Sequence, residues 1–240
     1  MPAAFCALLT AYLIGGFLLP AQFPKHTRPA WAAVLRGAVV ASASGLLLGA
    51  FHWPVLLIVF LTVATMAAIG LRARSDSAAR FIVDQCVHLF VLLELAYYFP
   101  EAAANGWWTR NMADLSRWYF AALSCISGIV ACVPAGGVLI AMLLAPFTNQ
   151  IRDHDIAGLT EGGKYIGWLE RVLVMLLVLM DQPSGIGFLI AAKSILRFGE
   201  IKDASQRKVA EYIIIGTFLS FGWALFISAV TQKAIRYWLP

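Results

Sequence analysis

The sequence predicts an all-α, polytopic integral membrane protein with about eight transmembrane helices. Apolar residues make up 61% of its 240 positions and charged residues 13%, whereas a globular domain is roughly 45–50% apolar. Mean hydropathy is +0.79. The apolar runs are continuous rather than alternating, which excludes a closed barrel and leaves helices, whose backbone groups are satisfied internally in lipid. With about 20 apolar residues needed per crossing and short connections between them, residues 1–240 read as a single transmembrane domain.

Crossings are expected near 2–20, 32–51, 54–71, 80–99, 118–146, 164–181, 184–199 and 209–231. The first holds Gly15 and Gly16, small residues that suit close helix packing. It lacks a basic leader, and Lys25 and Arg28 follow it, as expected of a retained helix rather than a cleaved signal. The second carries Arg36 near its start and the small-residue run Ser42 to Gly45. His52, Trp53 and Pro54 make a turn into the third. The fourth contains Asp84, His88 and Glu94, and so is expected to be interior. Trp107, Trp108 and Trp118 mark the following connection as interfacial, with a short amphipathic helix in it. In the fifth crossing Pro134, Gly136 and Gly137 predict a kink, with a broken, site-forming helix as the alternative.

Basic residues set the orientation. Eleven Lys and Arg residues fall on one side of these crossings and four on the other, namely Arg110, Arg117, Lys233 and Arg236. The richer side is expected to be cytoplasmic, which places both termini outside. The net charge of +5 follows from that bias and favours anionic membrane lipids as partners rather than nucleic acid. The four cysteines sit in apolar segments without a C-x-x-C, and Asp153-His154-Asp155 reads as a solvated loop, so neither a metal nor a cofactor is expected.

Crossings six and seven form a charged hairpin over residues 164–208, turning at Asp181, Gln182 and Pro183. Equal counts from Pro183 place Glu170 level with Arg197 and predict that they pair. Lys193 lies a turn nearer the bilayer centre, and Glu200 follows Arg197. With Asp84 and His88, which lie one turn apart on one helix face, Glu170, Arg171, Lys193, Arg197 and Glu200 make the candidate intramembrane cluster, open to the cytoplasm. Intramembrane charge is expensive, so it implies partners, water or a function. Counting Arg36 and Glu211 but omitting Glu200, the cations slightly outnumber the anions, which permits a small anion as ligand. The same residues also suit helix-to-helix locks.

The passages G-W-L-E-R-V-L, G-F-L-I-A-A-K-S-I-L-R-F-G-E-I-K-D and E-Y-I-I-I-G-T-F-L-S-F closely resemble the bacterial membrane-protein family of domain of unknown function 3307. The family also carries D-Q-x-x-H, kept here as Asp84, Gln85 and His88, and H-L-x-G-D-F-x-L-Q. In the latter, this chain has Tyr12, Gly16 and Pro20 in place of His, Asp and Gln. A further His/Asp pair of the family is missing from V-A-T-M-A-A-I-G-L. The resemblance implies a bacterial inner-membrane location. It also implies that any metal or catalytic site built from those residues in relatives is incomplete here, and it brings no established activity.

Three functions fit these residues. The first is binding or translocation of a small charged solute at the polar cluster. The second is a non-catalytic effector, sensor or assembly partner, in which a homo-oligomer would use the small-residue faces. The third is a membrane-embedded enzyme on lipid-linked or anionic substrates, with His88 as acid/base and Asp84 orienting it. The chain has no G-x-S-x-G, H-E-x-x-H or G-x-x-x-x-G-K motif.

Overall fold

The computed structural model describes residues 1–18, 31–72, 77–148, 161–198 and 204–239. These residues form helices and no strand. Five helical stretches are long and apolar enough to cross a membrane: Trp31–Leu48, Trp53–Gly70, Ala78–Tyr98, Leu115–Thr148 and Val209–Trp238. Pro2–Leu18 and Ser184–Ile195 are shorter apolar helices. The Asp153-His154-Asp155 loop lies outside the described residues.

In chain order the helices are α1 (Pro2–Leu13, continued by a π-helical Ile14–Leu18), α2 (Trp31–Leu48), α3 (Trp53–Arg72), α4 (Ala78–Tyr98), α5 (Glu101–Ala104), α6 (Trp107–Asn111) and α7 (Ala113–Val130). A π-helical Ala131–Ala135 then leads into α8 (Gly136–Thr148), α9 (Gly162–Leu179), α10 (Ser184–Phe198) and α11 (Ala204–Trp238). The expected kink at Pro134 is therefore a π-helical turn inside a helix that runs on to Thr148. A widened turn is a familiar way for a helix to accept a residue that supplies no N–H.

The chain packs as two compact units, Met1–Val130 with Lys233–Pro240, and Ala131–Gln232. In the first, α1 is the enclosed helix, with Ala4, Ala7, Leu8, Ala11 and Tyr12 all buried. Close approach of α1 to α2, and of α2 to α3, is possible because small residues lie at those contacts. A Cβ on Gly15 would stand 2.5 Å from Val40 Cγ2, and one on Gly37 would stand 2.8 Å from the Phe60 carbonyl oxygen of α3. Hydroxyls add direct links between α1 and α7. Thr10 Oγ1 and Ser127 Oγ are 2.7 Å apart, and Ser124 Oγ lies 3.4 Å from Cys6 Sγ while also accepting from Trp238 Nε1 of α11 at 3.2 Å. Interhelical hydrogen bonds of this kind are worth about 0.6 kcal/mol each in a membrane.

One end of this unit is closed by a cap. Gly49 ends α2 with φ +68, a left-handed conformation natural to glycine. Orphan carbonyls at that helix end are then met from far along the chain. Trp108 Nε1 donates to Leu46 O at 2.9 Å, Tyr119 OH to Leu47 O at 2.7 Å, and the Trp107 backbone N–H to Gly49 O at 2.8 Å. The Trp108 and Tyr119 rings stack at 5.0 Å. The connection expected to be interfacial thus holds two short helices, with Trp108 turned inward to the cap and Trp107 and Trp118 left exposed.

In the second unit, Cys132, Val133, Val174, Met175, Ile186, Phe221 and Ala224 form the apolar core. The α9–α10 turn is fixed by Gln232 of α11, whose Nε2 donates to Val178 O at 2.7 Å and to Asp181 Oδ1 at 2.9 Å. Gly187, early in α10, has no atom of another part of the described residues within 4 Å of the position a Cβ would take. Gly187→Ala is therefore expected to stabilise the protein by about 0.5–1 kcal/mol through helix propensity, read as a raised midpoint of thermal unfolding in detergent. A lowered midpoint would show that this face of α10 is covered.

Candidate functional site

The polar residues fall into two groups, one in each unit. In the first unit, Ser77 caps α4 by accepting the Arg80 backbone N–H at 3.3 Å. One turn further, Asp84 and His88 share a face, as their spacing predicts. His88 Nδ1 is 2.7 Å from the Asp84 carbonyl oxygen. Because a carbonyl accepts and does not donate, that contact places a proton on Nδ1. The same nitrogen is 3.7 Å from Asp84 Oδ1. His88 is buried, and its ring stacks on Tyr12 of α1 at 4.6 Å and 24°.

Tyr12 also begins a short hydrogen-bonded chain. Its hydroxyl donates to Gln85 Oε1 at 3.0 Å, and Gln85 Nε2 donates to Asp84 Oδ2 at 3.1 Å. Asp84 is thereby held on one oxygen while its side chain stays 32% exposed, against 5% for His88. Arg36 of α2 contributes positive charge beside α1. A Cβ on Gly16 would lie 3.2 Å from its Nη2, and its Nε is buried with no hydrogen-bond partner among the described residues. Sequence reasoning did not assign Tyr12 or Gln85 to the site. Gln85 was adjacent to the signal, whereas Tyr12 is 73 residues away from it.

In the second unit, Glu170 and Arg171 are neighbours that part company. Successive residues leave a helix about 100° apart, so the two side chains reach different elements. Lys193 of α10 places its Nζ 2.7 Å from Glu170 Oε1 and 2.8 Å from Oε2. The side chains are only 14% and 19% exposed for Glu170 and Lys193 respectively. The same ammonium lies 5.9 Å from the centre of the Phe221 ring, within cation–π range. The expected partner of Glu170 was Arg197, whose side chain lies outside the described residues, as does Glu200. Among the described residues, Lys193 is the cation that the structure gives to Glu170.

Arg171 turns instead towards the π-helical segment and α11, and is 4% exposed. Its Nη1 donates to Ser220 Oγ at 3.1 Å and its Nη2 to the Val133 carbonyl at 3.2 Å. Its Nε is buried without a hydrogen-bond partner among the described residues. Two glycines make room for this guanidinium. A Cβ on Gly137 would lie 3.1 Å from Nη2 and 3.3 Å from Trp168 Nε1, and one on Gly167 would lie 3.2 Å from Nη1. A second indole serves the same segment, with Trp223 Nε1 donating to Ala131 O at 3.0 Å.

Depth follows from the turn. Arg171 is ten residues along α9 from Asp181, and Ser220 is twelve along α11 from Gln232. At 1.5 Å per residue they lie about 15–18 Å from the polar Asp181–Gln232 contact.

Asp84 and His88 therefore belong to one group, and Glu170, Arg171 and Lys193 to the other. Among the described residues, no set of three His, Cys, Asp or Glu side chains is placed to hold a metal ion. No family model, curated protein or solved structure matches the chain.

Proposed function

We propose that this chain is a multi-pass protein of the bacterial inner membrane that binds or translocates a small charged solute. The observation that carries this reading is Arg171. It is a guanidinium buried at 4% exposure within an apolar helical unit, and its hydrogen bonds end on a hydroxyl and a carbonyl rather than a carboxylate. An ionisable group at such depth is costly, and in membrane proteins it commonly marks a solute or ion path. The adjacent carboxylate, Glu170, is engaged by Lys193, and that pair is assigned to holding α9 against α10.

In this reading the chain crosses the membrane eight times, with both termini outside, and belongs to the family of domain of unknown function 3307. The orientation rests on the Lys and Arg bias of the sequence, with Lys25, Arg28 and Arg74 among the residues of the richer side. The exposed Phe51, Trp53, Tyr97, Tyr98, Trp118 and Tyr237 suit a membrane interface, which aromatic residues favour on either side.

The test is ion flux into liposomes containing the purified protein, with radiolabelled chloride, phosphate and sodium as probes. Flux of one of these is expected to exceed that of protein-free liposomes at least tenfold and to fall in Arg171→Gln. Equal flux with and without protein for all three would remove the translocation reading.

A further inference from the structure

We infer that Asp84 and His88 form a binding site for one exchangeable proton, with Asp84 as its open end and His88 as its enclosed end. The site lies in the first unit and does not depend on Arg171. Two carboxylates within apolar helices are neutralised in different ways. Glu170 has the ammonium of Lys193 at 2.7 Å, a permanent cation. Within 4 Å of the Asp84 carboxylate, the basic group among the described residues is the His88 ring, at 3.7 Å. Imidazole gains and loses its charge near neutral pH. A carboxylate held at low dielectric without a permanent counter-ion takes up a proton instead.

The other charges around the pair are directed elsewhere or stand further off. Arg80, one turn before Asp84 on α4, donates through Nη2 to the Ile69 carbonyl of α3 at 2.8 Å. α3 has no ionisable side chain before Arg72, whose side chain lies outside the described residues. Glu94 is six residues beyond His88, about 9 Å along the helix. From α1 the pair meets Tyr12, and from α2 the charge of Arg36, which acts on both Tyr12 and His88. Arg36 and ionised Asp84 together are neutral, so one proton leaves the cluster with a single positive charge. A second would set an imidazolium beside Arg36 with no anion between them, which limits uptake to one.

The atoms that receive the proton follow from the hydrogen bonds. Tyr12 holds Gln85, and Gln85 holds Asp84 Oδ2, so that Oδ1 is left on the His88 side. The Nδ1 proton of His88 is engaged by the Asp84 carbonyl. The added proton, drawn from hydronium with release of water, therefore forms an O–H on Oδ1 or an N–H on Nε2. Asp84 is seven residues and His88 eleven from the cap residue Ser77, about 10 Å and 16 Å along α4. With 32% of the Asp84 side chain exposed against 5% of His88, exchange with the surroundings runs through the carboxylate. The Tyr12 ring covers one face of the imidazole at 4.6 Å.

The test uses the full chain in lipid nanodiscs, with His26, His52 and His154 replaced by Gln so that His88 is the one histidine left. Two signals are followed between about pH 5 and pH 9. One is the ring-nitrogen resonance of isotope-labelled His88; the other is modification of Asp84 by a hydrophobic carbodiimide, which requires the protonated carboxyl. A single titration step is expected at the ring or at the carboxyl. Asp84→Asn and His88→Gln are each expected to change the proton affinity of the remaining partner at least about tenfold, because a charge 3.7 Å away is lost. A ring that stays neutral together with a carboxyl that is never modified overturns the site. So does a partner whose titration is unchanged when the other is replaced. Should neither variant fold, the presence or absence of the step in the parent protein decides. Proton binding without ion flux in liposomes would retain this site and discard translocation. Flux that is lost in Arg171→Gln, without proton binding, would do the reverse.

Discussion

Glu170→Leu is expected to destabilise the protein by about 3 kcal/mol, the usual scale for stranding one member of a buried ion pair. The variant leaves the Lys193 ammonium, 19% exposed, against Phe221 with its bidentate acceptor removed. The double variant Glu170→Leu with Lys193→Met should recover most of that loss, because a neutral, well-packed pair replaces a buried ionic one at little net cost. Unfolding midpoints of both single variants and the double variant in detergent make a complete cycle, and the coupling between the positions is the quantity to read. A loss in the double variant equal to the sum of the two single losses would mean that the contact contributes nothing.

Gly106→Ala should be comparably damaging, for a steric reason. Its Cβ would stand 2.0 Å from the Leu48 carbonyl oxygen and 3.1 Å from that of Ala103. Both obstacles are backbone, so no rotamer change relieves them. Overpacking costs typically reach about 3 kcal/mol. Moving the connection away to make room would also loosen the bonds from Trp107, Trp108 and Tyr119 to the end of α2, at about 1 kcal/mol each. The near-ultraviolet circular dichroism of the stacked Trp108 and Tyr119 should weaken in parallel. An unchanged midpoint together with an unchanged aromatic signal would contradict the described cap.

The helical class was legible because it depends on the backbone's need for partners in lipid, which any long apolar run declares. The Asp84–His88 pairing was legible for a similarly local reason: four residues make about one helical turn. What the sequence concealed depends on rotation about helix axes and on contacts between distant segments. Glu170 and Arg171 read as one cluster because they are adjacent, yet the helix sends one to Lys193 and the other to Val133 and Ser220. Tyr12 was visible as a departure from a motif, but nothing in its neighbourhood announced a stacking partner on α4. Pro134 signalled an irregularity without specifying that a π-helical turn would absorb it.

The cap on α2 bears on the order in which the protein is made. Leu46 and Leu47 receive their donors from residues 62 and 72 positions later. While the nascent chain has emerged only as far as α3, the Leu46 carbonyl has only the local Gly49 N–H and the Leu47 carbonyl lacks its Tyr119 donor, so both rely on water. Closure waits until α4 has been inserted and residues 107–119 have returned to the same surface. The α2–α3 hairpin can enter the bilayer early, but the end of α2 is completed only when the middle of the chain has been synthesised.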